Sequence, residues 1–147
     1  RALLMETKFL VADEIISMLD ASTRIDILNI LVKLKERGLS VLFITHDLSL
    51  GYYISDKTII LYRGSIMEYG ETEKIFNNSA HPYTKMLLNS IPSLHQKWSN
   101  TDVSLSGRSA PVGYCKFYDR CPLGDERCKN IELRKVEENH FAACKNV

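Results

Sequence analysis

Three short apolar runs, the first two joined by a helical segment, are the feature that most constrains the fold of this chain. The runs are residues 8–12, 41–44 and 58–62. Continuous apolar runs of this length are typical of strands covered on both faces of a parallel sheet. Residues 22–37 have apolar side chains at helical spacing, and Gly38 follows as a stop signal. The pattern predicts a βαβ unit within an α/β fold that has a parallel sheet and flanking helices.

Further elements are predicted after this unit. A short helix is expected at residues 48–55, before the third apolar run. Arg63-Gly64 then predicts a turn into a hairpin partner at residues 65–69. Two more short helices are expected at residues 72–76 and 82–89.

Charge and hydropathy exclude several classes of protein. The 147 residues carry a formal net charge of +1, so no strong field points to nucleic acid or an anionic membrane. No apolar run approaches the roughly 18 residues that a membrane span requires, and no signal peptide is visible. The chain begins at Arg1 rather than Met, which indicates a cut through a larger protein. Any association with a membrane is therefore expected to depend on a partner.

Two carboxylates follow the first apolar run, as Asp13-Glu14. Ligands of open α/β sheets lie at the carboxyl edge, where these side chains should emerge. An aspartate there can hold Mg²⁺, and the next carboxylate can polarise a water for attack on a phosphate. The alternative is a strand that simply ends in two solvated acids.

Two further side chains occur at matching positions. Asp20 lies in Ser17-Met18-Leu19-Asp20, directly before the helix, and His46 follows the second apolar run in Thr45-His46-Asp47. Asp20 or Ser22 would also serve as an ordinary helix N-cap, and a lone histidine at a strand end is more often structural. The spacing from Glu14 to His46 fits one βαβ repeat, which predicts that both emerge at the same edge.

In this order, the three motifs resemble the Walker B motif, the D-loop and the switch histidine of ABC-type ATPases. The resemblance implies that Asp13 serves Mg²⁺, that Glu14 is the general base and that His46 contacts the γ-phosphate of ATP. It implies a role for Asp20 at the interface between two such domains. The fold expected is then the C-terminal part of a P-loop NTPase of the ABC class.

The sequence departs from the family in two ways. Ile15-Ile16 stands where the family usually has Pro-Thr or Pro-Ser, so the turn is less preset. The 147 residues also contain no GxxxxGK[ST] phosphate loop, no Gln loop and no LSGGQ-like signature, and residues 1–3 look like the helix after that signature. Because the phosphate loop holds the β- and γ-phosphates, we expect negligible ATPase activity from this chain alone.

The segment His81-Pro82-Tyr83-Thr84 narrows the resemblance. By itself it predicts a turn with proline at the first position of a surface helix. It also resembles the His-Pro-Tyr-Thr segment of the oligopeptide/dipeptide importer ATPases, which precedes a cysteine-bearing extension. The resemblance implies an energy-coupling ATPase subunit of a peptide importer.

All four cysteines lie in the last 33 positions. Three interpretations compete: free thiols, disulfides, which a reducing cytoplasm disfavours, and metal coordination. We favour metal coordination by Cys115, Cys121, Cys128 and Cys144. The pattern resembles the C-terminal element of peptide-importer ATPases, some of which carry a [4Fe–4S] cluster. That implies such a cluster here, with Zn²⁺ as the alternative. Arg120 and His140 either donate to sulfur or are ordinary surface residues.

The expected organisation has three parts. They are a C-terminal half of an ABC nucleotide-binding domain at 1–92, a connector at 93–113 and a cysteine-rich extension at 114–147. The resemblance implies ATP and Mg²⁺ as ligands and a peripheral position on the cytoplasmic face of the cell membrane. The implied partners are a second ATPase subunit, in a homo- or heterodimer, transmembrane permeases and, indirectly, an extracytoplasmic peptide-binding protein, without nucleic acid. The alternatives are an ABC ATPase of DNA repair and a metal-binding regulatory module on a half-ATPase scaffold.

Overall fold

A computed structural model describes residues 7–91 and 110–147, and the chain divides between Ser55 and Asp56 into two compact units. Most of the predicted connector at 93–113 and the helix expected at 1–3 lie outside the described residues. The bounds of the helices and strands follow, in chain order. They are β1 (Phe9–Asp13), α1 (Ala21–Glu36), β2 (Ser40–Ile44), α2 (Leu48–Ile54), β3 (Lys57–Tyr62), β4 (Ser65–Glu71), α3 (Thr72–Asn77), α4 (Pro82–Asn89), β5 (Arg134–Glu137) and β6 (His140–Ala142).

The first unit is the predicted βαβ arrangement followed by one more helix. Strands β1 and β2 pair in parallel, with Phe9 opposite Ser40 and Asp13 opposite Ile44. Parallel strands need a crossover connection, which α1 provides. The prediction of a mixed α/β fold with this pair of parallel strands is confirmed.

The core of the first unit lies on one face of this parallel pair. Apolar side chains of both helices meet there with the inward-facing residues of the strands. The buried members are Ile16, Leu28, Leu31 and Ile54, and Leu10, Leu19, Ile27, Val32, Phe43 and Leu50 pack against them.

The expectation that the apolar runs are covered on both faces is wrong for the chain as described. Phe9 and Val11 are 57% and 54% exposed, and Leu42 and Ile44 are 44% and 43% exposed. The burial of β1 and β2 therefore alternates along each strand, because the core covers only one face of the pair.

The third strand does not join the parallel pair, so its predicted place in a parallel sheet is wrong. Strand β3 instead pairs antiparallel with β4. The two-residue loop explains the antiparallel pairing: Arg63 and Gly64 have φ of 47° and 75°. Two consecutive positive φ angles are typical of the tight turn that reverses a strand onto its neighbour. The predicted hairpin is confirmed.

The second unit combines this hairpin with the tail. Its sheet has the order β3-β4-β6-β5, with all pairs antiparallel. Glu68 lies opposite Ala142 and Gly70 lies opposite His140. The cysteine-bearing tail thus shares a sheet with residues from the other side of the predicted connector.

Candidate functional site

The two strand-end carboxylates lie where the sequence predicts. Asp13 is the last residue of β1, and Glu14 follows it with a left-handed φ of 46°. Such backbone is uncommon outside glycine, costs on the order of 1 kcal/mol or more, and clusters at functional sites. The Glu14 N–H donates to the Ile44 carbonyl at 3.0 Å, and the Glu14 carbonyl accepts from the Ser17 N–H at 3.1 Å. These hydrogen bonds hold the turn after β1.

Ile16 anchors the same turn in the core. It is 3% exposed and belongs to the core cluster with Leu28, whereas Ile15 is 46% exposed. The apolar pair that replaces the proline-containing sequence of the family thus divides between core and solvent. Packing of Ile16, rather than a proline ring, fixes the backbone beyond Glu14.

Glu14 and His46 meet, as their spacing predicts. The distance from His46 Nδ1 to Glu14 Oε1 is 3.0 Å. Their side chains are 53% and 76% exposed, so the pair is open to solvent and contributes little to stability. A carboxylate beside an imidazole can orient the ring and accept a proton from water.

Asp20 acts as the N-cap of α1. Its carboxylate accepts hydrogen bonds from the Thr23 N–H at 3.1 Å, from Thr23 Oγ1 at 2.7 Å and from the Ser22 hydroxyl. The hydrogen bond from Ser22, with those from Thr23, holds the pKa of Asp20 well below its usual range. The capping interpretation of Asp20 is therefore correct, whatever further role the residue has.

Sequence reasoning missed Arg24. Its Nε donates to the Leu19 carbonyl at 2.7 Å, and its Nη2 donates to the Ser17 carbonyl at 3.3 Å. One side chain on α1 thus hydrogen-bonds two carbonyl groups of the segment before the helix. No sequence signal marked it, because arginine in the first turns of a helix is ordinary.

A shallow cleft of about 40 Å³ gathers these residues at the carboxyl edge of β1 and β2. Asp13 and Asp20 do not line it. The lining residues are Glu14, Ile16, Ser17, Arg24, Thr45, His46, Asp47 and Leu50.

The four cysteines all belong to the second unit. The Cys115 N–H donates to the Cys128 carbonyl at 3.0 Å. Burial raises the pKa of the Cys121 thiol to about 11, and the charges of Cys128, Cys144 and Cys115 add to this rise. The backbone hydrogen bond between Cys115 and Cys128 brings these two cysteines together.

The residues around the cysteines suit a metal ion or cluster by their chemistry but not by their arrangement. Arg120, directly before Cys121, has a buried Nε that lacks a hydrogen-bond partner. Soft thiol donors beside an unused buried N–H are suited to a group with sulfur ligands. Among the described residues, however, no three histidine, cysteine or acidic side chains are arranged to hold a metal ion. The structure therefore does not support the predicted metal site by geometry.

A buried network that sequence reasoning also missed adjoins the thiols. The Glu68 carboxyl group, fully buried, accepts from the Ala80 N–H at 2.8 Å and from the His81 N–H at 3.0 Å. His140 Nε2 lies 2.6 Å from the same carboxyl group and is equally buried. His140 is thus neither a surface residue nor a donor to sulfur. The sequence does not indicate that its partner, Glu68, is buried, because Glu68 looks like any acidic residue in a strand.

The two sites together define a mixed α/β protein with a carboxylate–histidine pair at a parallel strand edge and a thiol-rich second unit. Residues 67–128 match the family model of the C-terminal region of oligopeptide/dipeptide transporters. The chain is 40% identical over 98% of its length to a Brucella ovis protein named for peptide import and ATP binding. It is 38% identical over its full length to the oligopeptide transport ATP-binding protein OppF of Haemophilus influenzae. Over 63% of its length it is 53% identical to the oligopeptide transport ATP-binding protein AmiF of Streptococcus pneumoniae.

The chain is thus a homologue of the ATP-binding proteins of oligopeptide and dipeptide transporters, and the resemblance seen in the sequence is confirmed. It spans about half the length of the curated relatives it matches, covering 48% of the Brucella protein and 47% of OppF. None of the helices in residues 7–91 and 110–147 is long and apolar enough to cross a membrane.

Proposed function

We propose that this chain supplies part of the ATP-hydrolysing site of an energy-coupling subunit of a peptide importer. The observation that carries the proposal is the 3.0 Å contact between Glu14 and His46 at the carboxyl edge of two parallel strands. It occurs in a chain 38–40% identical to peptide import ATP-binding proteins over nearly its whole length. The pair lies where the resemblance to these ATPases places the hydrolytic residues, and the relatives are named for ATP binding and peptide import.

In the proposed mechanism the substrate is ATP with Mg²⁺, and each of this chain's residues has a distinct role. Glu14 accepts the proton of the attacking water as the general base. His46 contacts the γ-phosphate and, through its hydrogen bond, keeps the Glu14 carboxylate turned toward the cleft. Asp13 would hold Mg²⁺, a hard cation that prefers oxygen ligands and neutralises phosphate charge. Asp20 would act across the interface with a second ATPase subunit.

The 147 residues alone should not turn over ATP. They contain no glycine-rich phosphate loop to bind the β- and γ-phosphates. The expected result for the purified chain is no phosphate release above a buffer control. Turnover by this chain that Glu14→Gln abolishes would contradict this part of the proposal.

A chimaera tests the role of the site. The segment of Haemophilus influenzae OppF that aligns with this chain, 157 aligned residues, would be replaced by the chain itself. We expect the purified chimaera to hydrolyse ATP and expect Glu14→Gln to reduce kcat by at least about 100-fold, within the range for loss of a general base. Lys8→Gln, a charge change near the start of β1 and away from the cleft, is the control. Unchanged turnover in Glu14→Gln would contradict the assignment of Glu14 as the general base.

Peptide import and its partners are tested in cells with the same chimaera. We propose a peripheral subunit that binds transmembrane permeases and a second ATPase subunit at the cytoplasmic face of the membrane, and serves an extracytoplasmic peptide-binding protein indirectly. The chimaera should then restore uptake of a labelled oligopeptide to a strain that lacks its own subunit. ATP hydrolysis without uptake would separate the ATPase assignment from the peptide-import assignment.

We also propose that Cys115, Cys121, Cys128 and Cys144 ligate a [4Fe–4S] cluster, with Zn²⁺ as the alternative. The support is the clustering of the four cysteines in the last 33 positions, the backbone hydrogen bond between Cys115 and Cys128, and the resemblance of the cysteine pattern to peptide-importer ATPases. Such a group would staple a small tail to the sheet. Anaerobically purified protein should absorb broadly near 400 nm and contain iron and sulfide; colourless protein with stoichiometric zinc would favour the alternative.

A further inference from the structure

His81 is held in one orientation by its own helix. It is the N-cap of α4 and is 1% exposed. Its Nδ1 accepts a hydrogen bond from the Tyr83 N–H at 3.0 Å. An imidazole nitrogen that accepts from a backbone N–H presents its lone pair there, so the ring proton lies on Nε2.

The other ring nitrogen faces a thiol. His81 Nε2 lies 3.8 Å from Cys115 Sγ. Two arrangements fit this separation: an N–H donor to sulfur, or two ligands of one tetrahedral metal ion, whose sulfur and nitrogen lie about 3.5 Å apart. A ligand would need a lone pair on Nε2 and a proton on Nδ1. The hydrogen bond from Tyr83 requires the opposite tautomer, so the donor arrangement is the consistent one.

Neighbouring residues hold the His81 backbone and pack against its ring. The backbone N–H of His81 donates to Glu68 Oε2 at 3.0 Å. The Phe117 ring packs with its centroid 6.1 Å from that of the imidazole. Glu68 is itself held by the buried His140. A flip of the ring would lose the hydrogen bond from the Tyr83 N–H that caps α4.

We propose that His81 donates a hydrogen bond from Nε2 to the sulfur of Cys115 and is a positioning residue for the thiol site, not one of its ligands. This rests on the proposed thiol site and is independent of peptide import. It gives the histidine of the His-Pro-Tyr-Thr segment a double role, because one ring caps α4 and orients the first cysteine of the tail.

The tautomer can be measured in the metal-free 147-residue chain. Long-range ¹H–¹⁵N correlation spectra distinguish a ring protonated on Nε2 from one protonated on Nδ1, and the signals are assigned by their loss in His81→Asn. We expect the Nε2–H form. An Nδ1–H form would overturn the proposal, and this result does not depend on whether any metal binds.

A variant series tests the contact to sulfur. His81→Asn keeps a side-chain acceptor for the Tyr83 N–H but is too short to reach Cys115, whereas His81→Ala loses both. With Co²⁺ as the probe, we expect His81→Asn to weaken binding about 10–100-fold, as loss of an outer hydrogen bond does, while the sulfur-to-cobalt absorption keeps its position and intensity per bound ion. Asn89→Ala, at an exposed position of the same helix, is the control and should bind Co²⁺ as the wild type does.

The outcomes separate the two proposals. A change in the cobalt spectrum that shows one nitrogen ligand lost in His81→Asn would make His81 a ligand and overturn the inference. Unchanged Co²⁺ affinity in His81→Asn would also overturn it. If wild-type protein binds neither Co²⁺ nor reconstituted iron and sulfide, the cluster proposal fails, while the tautomer measurement still decides the hydrogen bond.

Discussion

At the scale of single residues, Glu68 makes several of the buried polar contacts of the second unit. One fully buried carboxyl group accepts two backbone N–H groups at the start of the His-Pro-Tyr-Thr segment and contacts His140 in β6. It therefore connects three parts of the chain that are distant in sequence. Buried polar groups of this kind are stable only when every partner is present.

We expect Glu68→Ala to lower the free energy of unfolding by about 3–5 kcal/mol, because it leaves buried donors without an acceptor. Urea unfolding measures the loss. The matched control is Glu73→Ala, an exposed acid on α3, which should change stability by no more than about 0.5 kcal/mol. Equal effects of the two substitutions would contradict the importance assigned to the buried network.

The lowered pKa of Asp20 predicts that the stability of the first unit depends on pH. Hydrogen bonds from Ser22 and Thr23 lower its pKa, so the folded state favours the ionised form. Its contribution to stability is then complete above the ordinary aspartate pKa of about 4 and is lost as the pH falls through the lower folded-state pKa.

Asp20→Asn keeps an acceptor at the N-cap but cannot titrate. From about pH 5 to about pH 2 we expect the melting temperature of the wild type to fall more than that of Asp20→Asn. Asp26→Asn, exposed on the same helix, is the control. Parallel curves for wild type and Asp20→Asn would show that the hydrogen bonds seen at Asp20 have no energetic effect.

At the scale of elements, the pairing of β4 with β6 depends on the absence of a side chain at Gly70. A Cβ there would lie 2.5 Å from the Asn139 carbonyl oxygen and 2.9 Å from His140 Cα. Both are backbone atoms, which cannot move aside as a flexible side chain does. The close approach lets the tail add its strands to the hairpin.

Gly70→Ala should therefore destabilise the second unit, by about 1–3 kcal/mol, as overpacking does. Gly51→Ala is the contrasting control: its Cβ would meet only Thr45 Cγ2, at 3.7 Å, and it lies inside α2. That substitution should be neutral or stabilise by up to about 1 kcal/mol. Hydrogen exchange at β4 and β6 amides reports which strands are affected, and unchanged protection in Gly70→Ala would contradict the packing argument.

At the scale of the whole molecule, the parallel pair presents an uncovered apolar face. Val11 and Leu42 lie opposite each other in register and are both about half exposed. Contiguous exposed apolar surface is a binding surface or an aggregation liability. Such a surface should attract a hydrophobic dye and other copies of the chain.

We expect the double substitution Val11→Thr/Leu42→Thr to reduce anilinonaphthalene sulfonate fluorescence and concentration-dependent association in sedimentation experiments. Threonine is β-branched, a shape that suits a strand. Val112→Thr, at a fully exposed position outside the strands, controls for the loss of an isolated apolar side chain. If dye binding falls no further in the double variant than in Val112→Thr, the face does not dominate the surface behaviour.

Local sequence patterns predicted much of the fold. The βαβ unit follows from apolar periodicity and helix stop signals, and the hairpin at Arg63-Gly64 follows from turn chemistry. The meeting of Glu14 and His46 could also be predicted, because the carboxyl ends of neighbouring parallel strands share one edge. The positions of Asp13, Glu14, Asp20 and His46 need only these local rules.

The sequence could not specify which faces and edges are covered. An apolar run looks the same whether one face or both are buried, so the exposure of Phe9 and Leu42 and the absence of β3 from the parallel sheet were decided by what packs beside them. The addition of β6 to β4 links residues about 70 positions apart, as between Glu68 and Ala142, and no short pattern encodes such a contact. The buried Glu68–His140 pair arises from that pairing. The contact of His81 with Cys115 also joins residues that are far apart in sequence. By itself, the sequence determined the local elements and the carboxylate–histidine edge, because both depend on near neighbours. Only the tertiary structure decided the sheet of the tail and the surroundings of its thiols, because long-range packing brings those residues together.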